Sequence, residues 1–330
     1  MNYTTLDKFL REWNNDEPTV LLHTSGSTGY PKPWMAEKER MRRSARMTCD
    51  YLGLREGDTA LLCMPLDYIA GQMMVVRALE RRLNLIERKP DGHPLALPLQ
   101  GVTGKLFAAM VPLQVWNTLR EPEERERLKT VDHLIVGGGS IDPNMETELR
   151  TMPGKIWSSY GMTETLSHIA LRDIKEEEWY RPLPGVSLSQ DKEGCLIVHA
   201  PMLCDREQHT HDIVRPHPEG LQHGGFQVIG RSDNIICSGG IKIQIEEVER
   251  RLKPVYRDTI QVTSLPHPKF GEVVVFLTTA HIDQHLLRLC LGNPYWMPKR
   301  IIQVSQLPLT ATGKPDRAEA KRIALTSIAS

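Results

Sequence analysis

Between Thr19 and about Tyr160, short runs of β-forming residues alternate with segments whose apolar positions recur at helical spacing, and no other feature constrains the fold as strongly. The strand candidates are Val20–His23, Ala60–Met64, Asn84–Glu87, Lys105–Val111, His133–Val136 and Lys155–Ser158. Between them, Ala36–Leu52, Ile69–Arg81, Leu113–Leu119 with a charged continuation, and Asn144–Thr151 read as helices, amphipathic or charged on one side. Such alternation predicts an α/β sheet with helices packed on its faces. Beyond Tyr160 the texture changes. Glycine and proline punctuate short strands at Cys195–Ala200, Asp212–Val214, Phe226–Ile229 and Asn234–Cys237, which predicts a β-rich subdomain. The C-terminal part holds a helix at Ile245–Leu252 and strands at Thr259–Thr263 and Val273–Thr279. With Ile282–Leu291, Arg300–Val304 and Arg317–Ile328 it makes a small α+β unit. The densest polar stretch, Asp205–His223, reads as a solvated loop.

Lysine plus arginine and aspartate plus glutamate both total 41, and no basic block or aromatic-interleaved stripe interrupts that balance, which disfavours a nucleic-acid partner. Met1–Pro18 is polar and acidic, and no apolar run approaches the length of a bilayer span, so the expectation is a cytoplasmic protein without membrane insertion. The six cysteines lack paired metal-type spacing and suit reduced thiols. Cys204, His209, His211, His217 and His223 fit no standard zinc template.

Four stretches carry chemistry. The first is Thr24-Ser25-Gly26-Ser27-Thr28-Gly29-Tyr30-Pro31-Lys32, directly after Val20-Leu21-Leu22. Two glycines let a backbone turn tightly and bring N–H groups to an anion, while hydroxyls and Lys32 add donors and one positive charge. Two residues rather than four separate the glycines, and Pro33 follows Lys32, so this is not the common NTPase loop. Composition alone equally describes a surface turn. The second is Ser158-Ser159-Tyr160-Gly161-Met162-Thr163-Glu164-Thr165, whose acid beside hydroxyls suits a magnesium–nucleotide site, because a divalent cation lets a carboxylate sit near phosphates. The third runs from Gly225 to Ile236, through Arg231, Asp233 and Asn234, and on through Ser238-Gly239-Gly240-Ile241. The fourth is Leu307-Pro308-Leu309-Thr310-Ala311-Thr312-Gly313-Lys314-Pro315-Asp316-Arg317. Each alone is also readable as ordinary turn chemistry.

In this order, from Thr24 to Arg317, the four motifs resemble the adenylate-forming superfamily of acyl-CoA and aryl-CoA ligases, luciferases and peptide-synthetase adenylation domains. Within it, the wording Ser159 to Thr165 and the short chain are most similar to the o-succinylbenzoate:CoA ligases of menaquinone biosynthesis. The resemblance implies an adenylation core over residues 1–232 and a mobile C-terminal domain over residues 233–330. It implies ATP, Mg2+ and CoA as cofactors and a small-molecule carboxylic acid as substrate. It assigns Thr24, Ser25, Gly26, Ser27, Thr28, Gly29 and Lys32 to the ATP phosphates, and Thr163 and Glu164 to phosphates and magnesium. Gly137, Gly138 and Gly139 would lie against adenine and the acyl pocket, with Tyr160 and Gly161 beside the nucleotide. Asp212 and Arg231 would hold the ribose, Asp233 would be the hinge, Lys314 would complete adenylation, and Gly239 and Gly240 would approach pantetheine. Tyr68, Gly71 and Ser167 are candidates for the acid pocket.

The chain also departs from the pattern. Only twenty-three residues precede Thr24, so the usual N-terminal portion is expected to be reduced, and packing it normally supplies would come from a partner subunit, as in a homodimer. Tyr68 stands where relatives of this subgroup carry histidine, and His211 stands where glycine commonly precedes the ribose-binding acid. Arg77 and Lys105 are candidates for pairing with a second carboxylate on the acid, although surface positions are the ordinary expectation for both. Two other functions fit the motifs: loading an acid onto a carrier-protein thiol, and non-catalytic nucleotide binding by a scaffold homologue.

Overall fold

The computed structural model describes residues 4–23, 33–310 and 313–329. The chain divides into two compact units, one comprising Met1–Ser189, Ile197–Gln208 and Pro216–Gln227, the other Gln190–Leu196, His209–Arg215 and Val228–Ser330.

In the first unit, helix α1 (Leu6–Trp13) is capped by the Thr5 side chain and buries Phe9 and Trp13. Strands β1 (Thr19–His23) and β2 (Pro33–Glu37) form an antiparallel hairpin. Then follow α2 (Lys38–Leu52), β3 (Thr59–Leu62), α3 (Ile69–Arg81), β4 (Asn84–Glu87) and β5 (Leu106–Met110). Helices α4 (Pro112–Arg120) and α5 (Pro122–Leu128), β6 (His133–Val136), α6 (Pro143–Arg150), β7 (Lys155–Met162), β8 (Ser167–Asp173) and β9 (Arg181–Pro182) complete a seven-stranded sheet in the order β4-β3-β5-β6-β7-β8-β9. Its first five strands are parallel, and β8 and β9 add in antiparallel fashion. Strands β3, β5 and β6 are buried along their whole length, as expected where helices cover both faces of a parallel sheet. Leu61, Ala108, Leu134 and Val136 pack there with Val115, Leu119 and Leu149 of the helices.

Two local expectations change. The helix placed at Ala36 begins at Lys38, because residues 33–37 follow a strand's period of two: Ala36 is buried, while Met35 and Glu37 on either side are exposed. The polar stretch placed in a loop contains a nine-residue strand. Strands β10 (Ser187–Gln190), β11 (Cys195–His199), β12 (Gln208–Pro216) and β13 (Phe226–Arg231) form a sheet in that order. Ladder hydrogen bonds satisfy the backbone of β12 whatever its side chains, so its polarity marks exposure rather than irregularity.

The second unit continues with β14 (Ile235–Ser238), β15 (Ile241–Gln244), α7 (Ile245–Tyr256), β16 (Ile260–His267), β17 (Gly271–Thr278), α8 (Gln284–Leu291), β18 (Arg300–Gln303) and α9 (Arg317–Ala329). Its sheet runs β15-β14-β17-β16, with β18 parallel to β17. Alternation along β17 builds two cores. Val274 and Phe276 pack with Val248 and Leu252 of α7 and Leu287 of α8, whereas Val273 and Val275 pack with Ala324 of α9.

Candidate active site

The hairpin β1–β2 frames the candidate phosphate loop. Its register runs from Thr19 opposite Glu37 to His23 opposite Pro33, which leaves Thr24 to Lys32 as the connection. Buried Val20, Leu22 and Ala36 anchor it from one face. Thr24, Ser25, Gly26, Ser27, Thr28, Gly29 and Lys32 themselves lie outside the described residues.

Other candidates of the first unit gather at the carboxyl ends of its parallel strands, the edge at which open α/β sheets bind ligands. Gly137, Gly138 and Gly139 follow β6; Tyr160 and Gly161 close β7; Tyr68 is the residue before α3. At Gly161 the register with β8 shifts, and a Cβ there would stand 2.3 Å from the Ser167 carbonyl oxygen, so only glycine fits. A Cβ on Gly71 would likewise meet the Pro65 carbonyl oxygen at 2.3 Å, which makes this buried glycine a packing requirement at the start of α3. The Tyr160 ring lies edge-on to Phe226 with centroids 5.0 Å apart.

After β7 the chain makes a 3-10 turn, Thr163–Thr165, and passes through Leu166 at φ 63°, a left-handed conformation that a leucine adopts at a cost. Thr165 holds this shape from inside. It is fully buried, accepts the Met162 N–H at 3.2 Å, and directs its hydroxyl at the carbonyls of Met162 (3.0 Å) and Ser167 (2.8 Å). Thr163 is buried and Glu164 exposed, leaving a carboxylate, the oxygen donor a hard cation prefers, free to meet a bound ion.

Arg77 overturns its expectation. It is 3% exposed, in a stretch of α3 where Gly71 to Ala78 are all buried. Its Nη2 donates to Ser167 Oγ at 2.6 Å, and among the described residues its Nε has no hydrogen-bond partner and no carboxylate forms an ion pair with it. Burial lowers its pKa to about 10, so it remains a cation at neutral pH. The signal available in the sequence was a single arginine inside Met73-Met74-Val75-Val76-Arg77-Ala78-Leu79, a helix with no polar face there. Lys105 is exposed, as expected.

The second unit brings together Asp212 of β12, Arg231 and Asp233 of the third motif, and Lys314 of the fourth. Arg231, ending β13, holds Asp233 in a two-pronged fork (Nε–Oδ1 2.8 Å, Nη2–Oδ2 2.7 Å) and reaches Asp212 Oδ1 on β12 at 3.3 Å through Nη1. That fork keeps the Asp233 carboxyl below its usual range. Lys314 senses the same pair: burial around its ammonium and the nearby Arg231 charge lower its pKa, while Asp212 opposes them. The lysine stands on a pinned turn. Its N–H donates to Thr310 Oγ1 at 3.1 Å, Thr310 N–H donates to its carbonyl at 2.7 Å, and Arg317 forks onto Glu249 of α7 at 2.5 and 2.6 Å. Gly239 and Gly240 form the two-residue turn between β14 and β15, both at positive φ (58° and 84°), which hairpin geometry alone demands. Of the histidines and cysteine set aside as a metal cluster, His217 packs edge-on to Trp179, His211 Nδ1 meets Ser232 Oγ at 3.3 Å, and Cys204 donates to the Ala200 carbonyl.

The model of the AMP-binding enzyme family matches residues 5–193, more than half of the chain. The chain belongs to that family. Among curated relatives, a 2-succinylbenzoate–CoA ligase of Salmonella typhimurium is 28% identical over 248 residues; the match takes in 72% of this chain and 52% of that protein, so the chain spans about half the relative's length. A solved acyl-CoA synthetase (AMP-forming)/AMP-acid ligase II-like protein from Dyadobacter fermentans is 30% identical, with a TM-score of 0.63 over 96% of this chain and 92% of that one. The o-succinylbenzoate CoA synthetase of Bacillus subtilis, solved with its acyl-adenylate intermediate, superposes with a TM-score of 0.77 at 21% identity, over 91% of this chain and 68% of that one. The AMP-binding family member described here has the adenylate-forming enzyme fold, shortened relative to the two succinylbenzoate ligases but not to the Dyadobacter protein. Among its described residues no helix is long and apolar enough to cross a membrane.

Proposed function

We propose that this chain is an acid:CoA ligase whose acid carries a second carboxylate, with o-succinylbenzoate as the favoured substrate. The observation that carries the choice of acid is Arg77, a buried cation with no described acidic partner beside the carboxyl ends of the sheet. A charge buried that way is costly unless something else completes it, and a ligand carboxylate is a group of the right sign and fork geometry. Family membership and the relatives' names support the reaction class.

A free carboxylate is a poor acyl donor because its oxygen leaves badly. Its oxygen therefore attacks the α-phosphorus of ATP and expels pyrophosphate, and negative charge gathers as it does so. Lys314, on its pinned turn, is the residue proposed to stabilise that charge, with Asp212 and Arg231 on the ribose hydroxyls. Thr163 and Glu164 would hold Mg2+, which supplies charge neutralisation at the phosphates when bound. In the second step the CoA thiolate adds to the adenylate carbonyl and AMP leaves, so no protein nucleophile is needed. Asp233 is the proposed hinge between the two half-reactions, and the Gly239–Gly240 turn is the proposed approach for pantetheine.

The test is acid-dependent exchange between ATP and labelled pyrophosphate over a panel of aromatic mono- and dicarboxylic acids, followed by chromatography for the CoA thioester. The reading expects exchange and thioester with dicarboxylic acids. Exchange without thioester would indicate a carrier-protein acceptor, and no exchange with any acid would overturn the enzymatic reading.

A further inference from the structure

Arg77 is held by a hydrogen-bond chain whose far end is the Ser44 carbonyl. Thr48 Oγ1, on α2, lies 3.1 Å from the Ser44 carbonyl, an oxygen that can only accept, so its hydroxyl can donate there. With the Thr48 proton placed there, the 3.0 Å contact between Thr48 Oγ1 and His168 Nε2 runs from Nε2–H to the hydroxyl oxygen. That leaves His168 Nδ1 as an acceptor, 3.3 Å from Ser167 Oγ. Ser167 can donate to it because its own oxygen already accepts from Arg77 Nη2 at 2.6 Å. The three inner members, Ser167, His168 and Thr48, each use one donor and one acceptor in one sense, between the Arg77 donor at one end and the Ser44 carbonyl acceptor at the other. Run in that one sense, the series requires a neutral imidazole carrying its proton on Nε2. Ser44, Thr48, His168 and Arg77 are all buried, and the chain ties α3 to α2 through the first two residues of β8.

We propose that His168 is a positioning residue for substrate selection: through Ser167 it fixes the Arg77 guanidinium in the orientation that receives the second carboxylate of the acid. This rests on the reading of Arg77 given above. Without the relay the long side chain would be restrained by one partner fewer at Ser167, and rotamer freedom in a receptor for a planar carboxylate weakens two-pronged binding. Burial and the neighbouring Arg77 charge also disfavour the imidazolium, in keeping with the neutral form the relay requires. His168 touches no reacting atom in this account, and its effect is on the choice of acid.

Two measurements test this. Nitrogen-15 spectra of the intact wild-type chain at pH 7, with the His168 signals assigned by their loss in His168→Asn, should show a neutral ring protonated at Nε2. A ring protonated at Nδ1, or an imidazolium, overturns the relay whether or not the protein turns over any acid. In exchange assays with o-succinylbenzoate and the mono-acid lacking its distal carboxyl, His168→Leu should lower the ratio of the two kcat/KM values by about tenfold, about what one lost hydrogen bond is worth. The loss should fall on KM rather than kcat. His168→Asn, whose amide oxygen can replace Nδ1 as acceptor, should recover most of the ratio. An equal loss on both acids, or no loss, contradicts the positioning role. Absence of exchange by the wild type with both acids would overturn the functional reading while leaving the spectroscopic result to stand or fall separately.

Discussion

Arg77 and Lys314 are both cations, one buried in α3 and the other on an exposed turn beside Arg231 and Asp212, and they make opposite demands on the protein. Arg77 has one described side-chain partner and an orphaned Nε, so it lowers stability in the absence of an anion. Replacing it with methionine, which fills similar space without charge, should raise the urea midpoint by the equivalent of about 1–4 kcal/mol. The same change should lower kcat/KM for a dicarboxylic acid by two or more powers of ten. A variant that loses stability along with activity would show that Arg77 is structural. Lys314 belongs to a group of polar residues from segments distant in sequence, and its proposed role is confined to one half-reaction. Lys314→Ala should therefore abolish pyrophosphate exchange, yet still form thioester from supplied acyl-adenylate and CoA. Equal loss of both half-reactions would contradict the assignment.

Among the elements, the segment from β7 through the 3-10 turn to β8 carries one site of local strain. Gly161 has no room for a side chain, Leu166 is held left-handed, and Thr165 closes both ends of the turn. Gly161→Ala should destabilise the chain by at least about 1–3 kcal/mol, because the clash is with backbone that cannot swing aside. It should also impair exchange, since the displaced strand carries Ser167 and His168; a wild-type urea midpoint would show that the bulge is not as rigid as drawn here. Elements of this kind were partly legible beforehand. The run from Ser158 to Thr165 announced a strand entering a turn, and Ile69–Arg81 and His133–Val136 are helix and strand at the positions their periodicity predicts. Strands β2 and β12 were misread in part, one as the start of a helix and one largely as loop. Their short or polar sequences leave pairing, which is non-local, to decide the conformation.

For the whole molecule, buried histidines set a pH dependence. Burial, then Arg77 for His168 and Lys105 for His133, lowers both pKa values below the ordinary 6.5. In the window below 6.5 and above each folded pKa, the unfolded chain binds the extra proton and the folded chain does not, so stability rises with pH there and is lost as pH falls. Between pH 6.5 and 5 the thermal midpoint should decline, with a slope of at most about 1.4 kcal/mol per pH unit for each histidine. The slope should be shallower in His168→Asn; an unchanged slope would remove His168 from the account. Asp233 acts lower, where its stabilisation by Arg231 disappears as pH falls below 3.8. The alternation of strand and helix, and the four motifs in order, were enough to indicate the sheet, the family and most candidate residues, because periodicity and turn chemistry are local properties of a chain. Candidates for the acid pocket could be named, Arg77 among them, but its burial was not indicated. Whether Arg77 lies in water or in the interior depends on α2 and β8 covering α3, and burial that converts a common surface residue into a cation without a described acidic partner is a property of contacts far apart in sequence. The same holds for the meeting of Asp212, Arg231 and Lys314: each motif could name its residue, but only folding puts their charges within reach of one another.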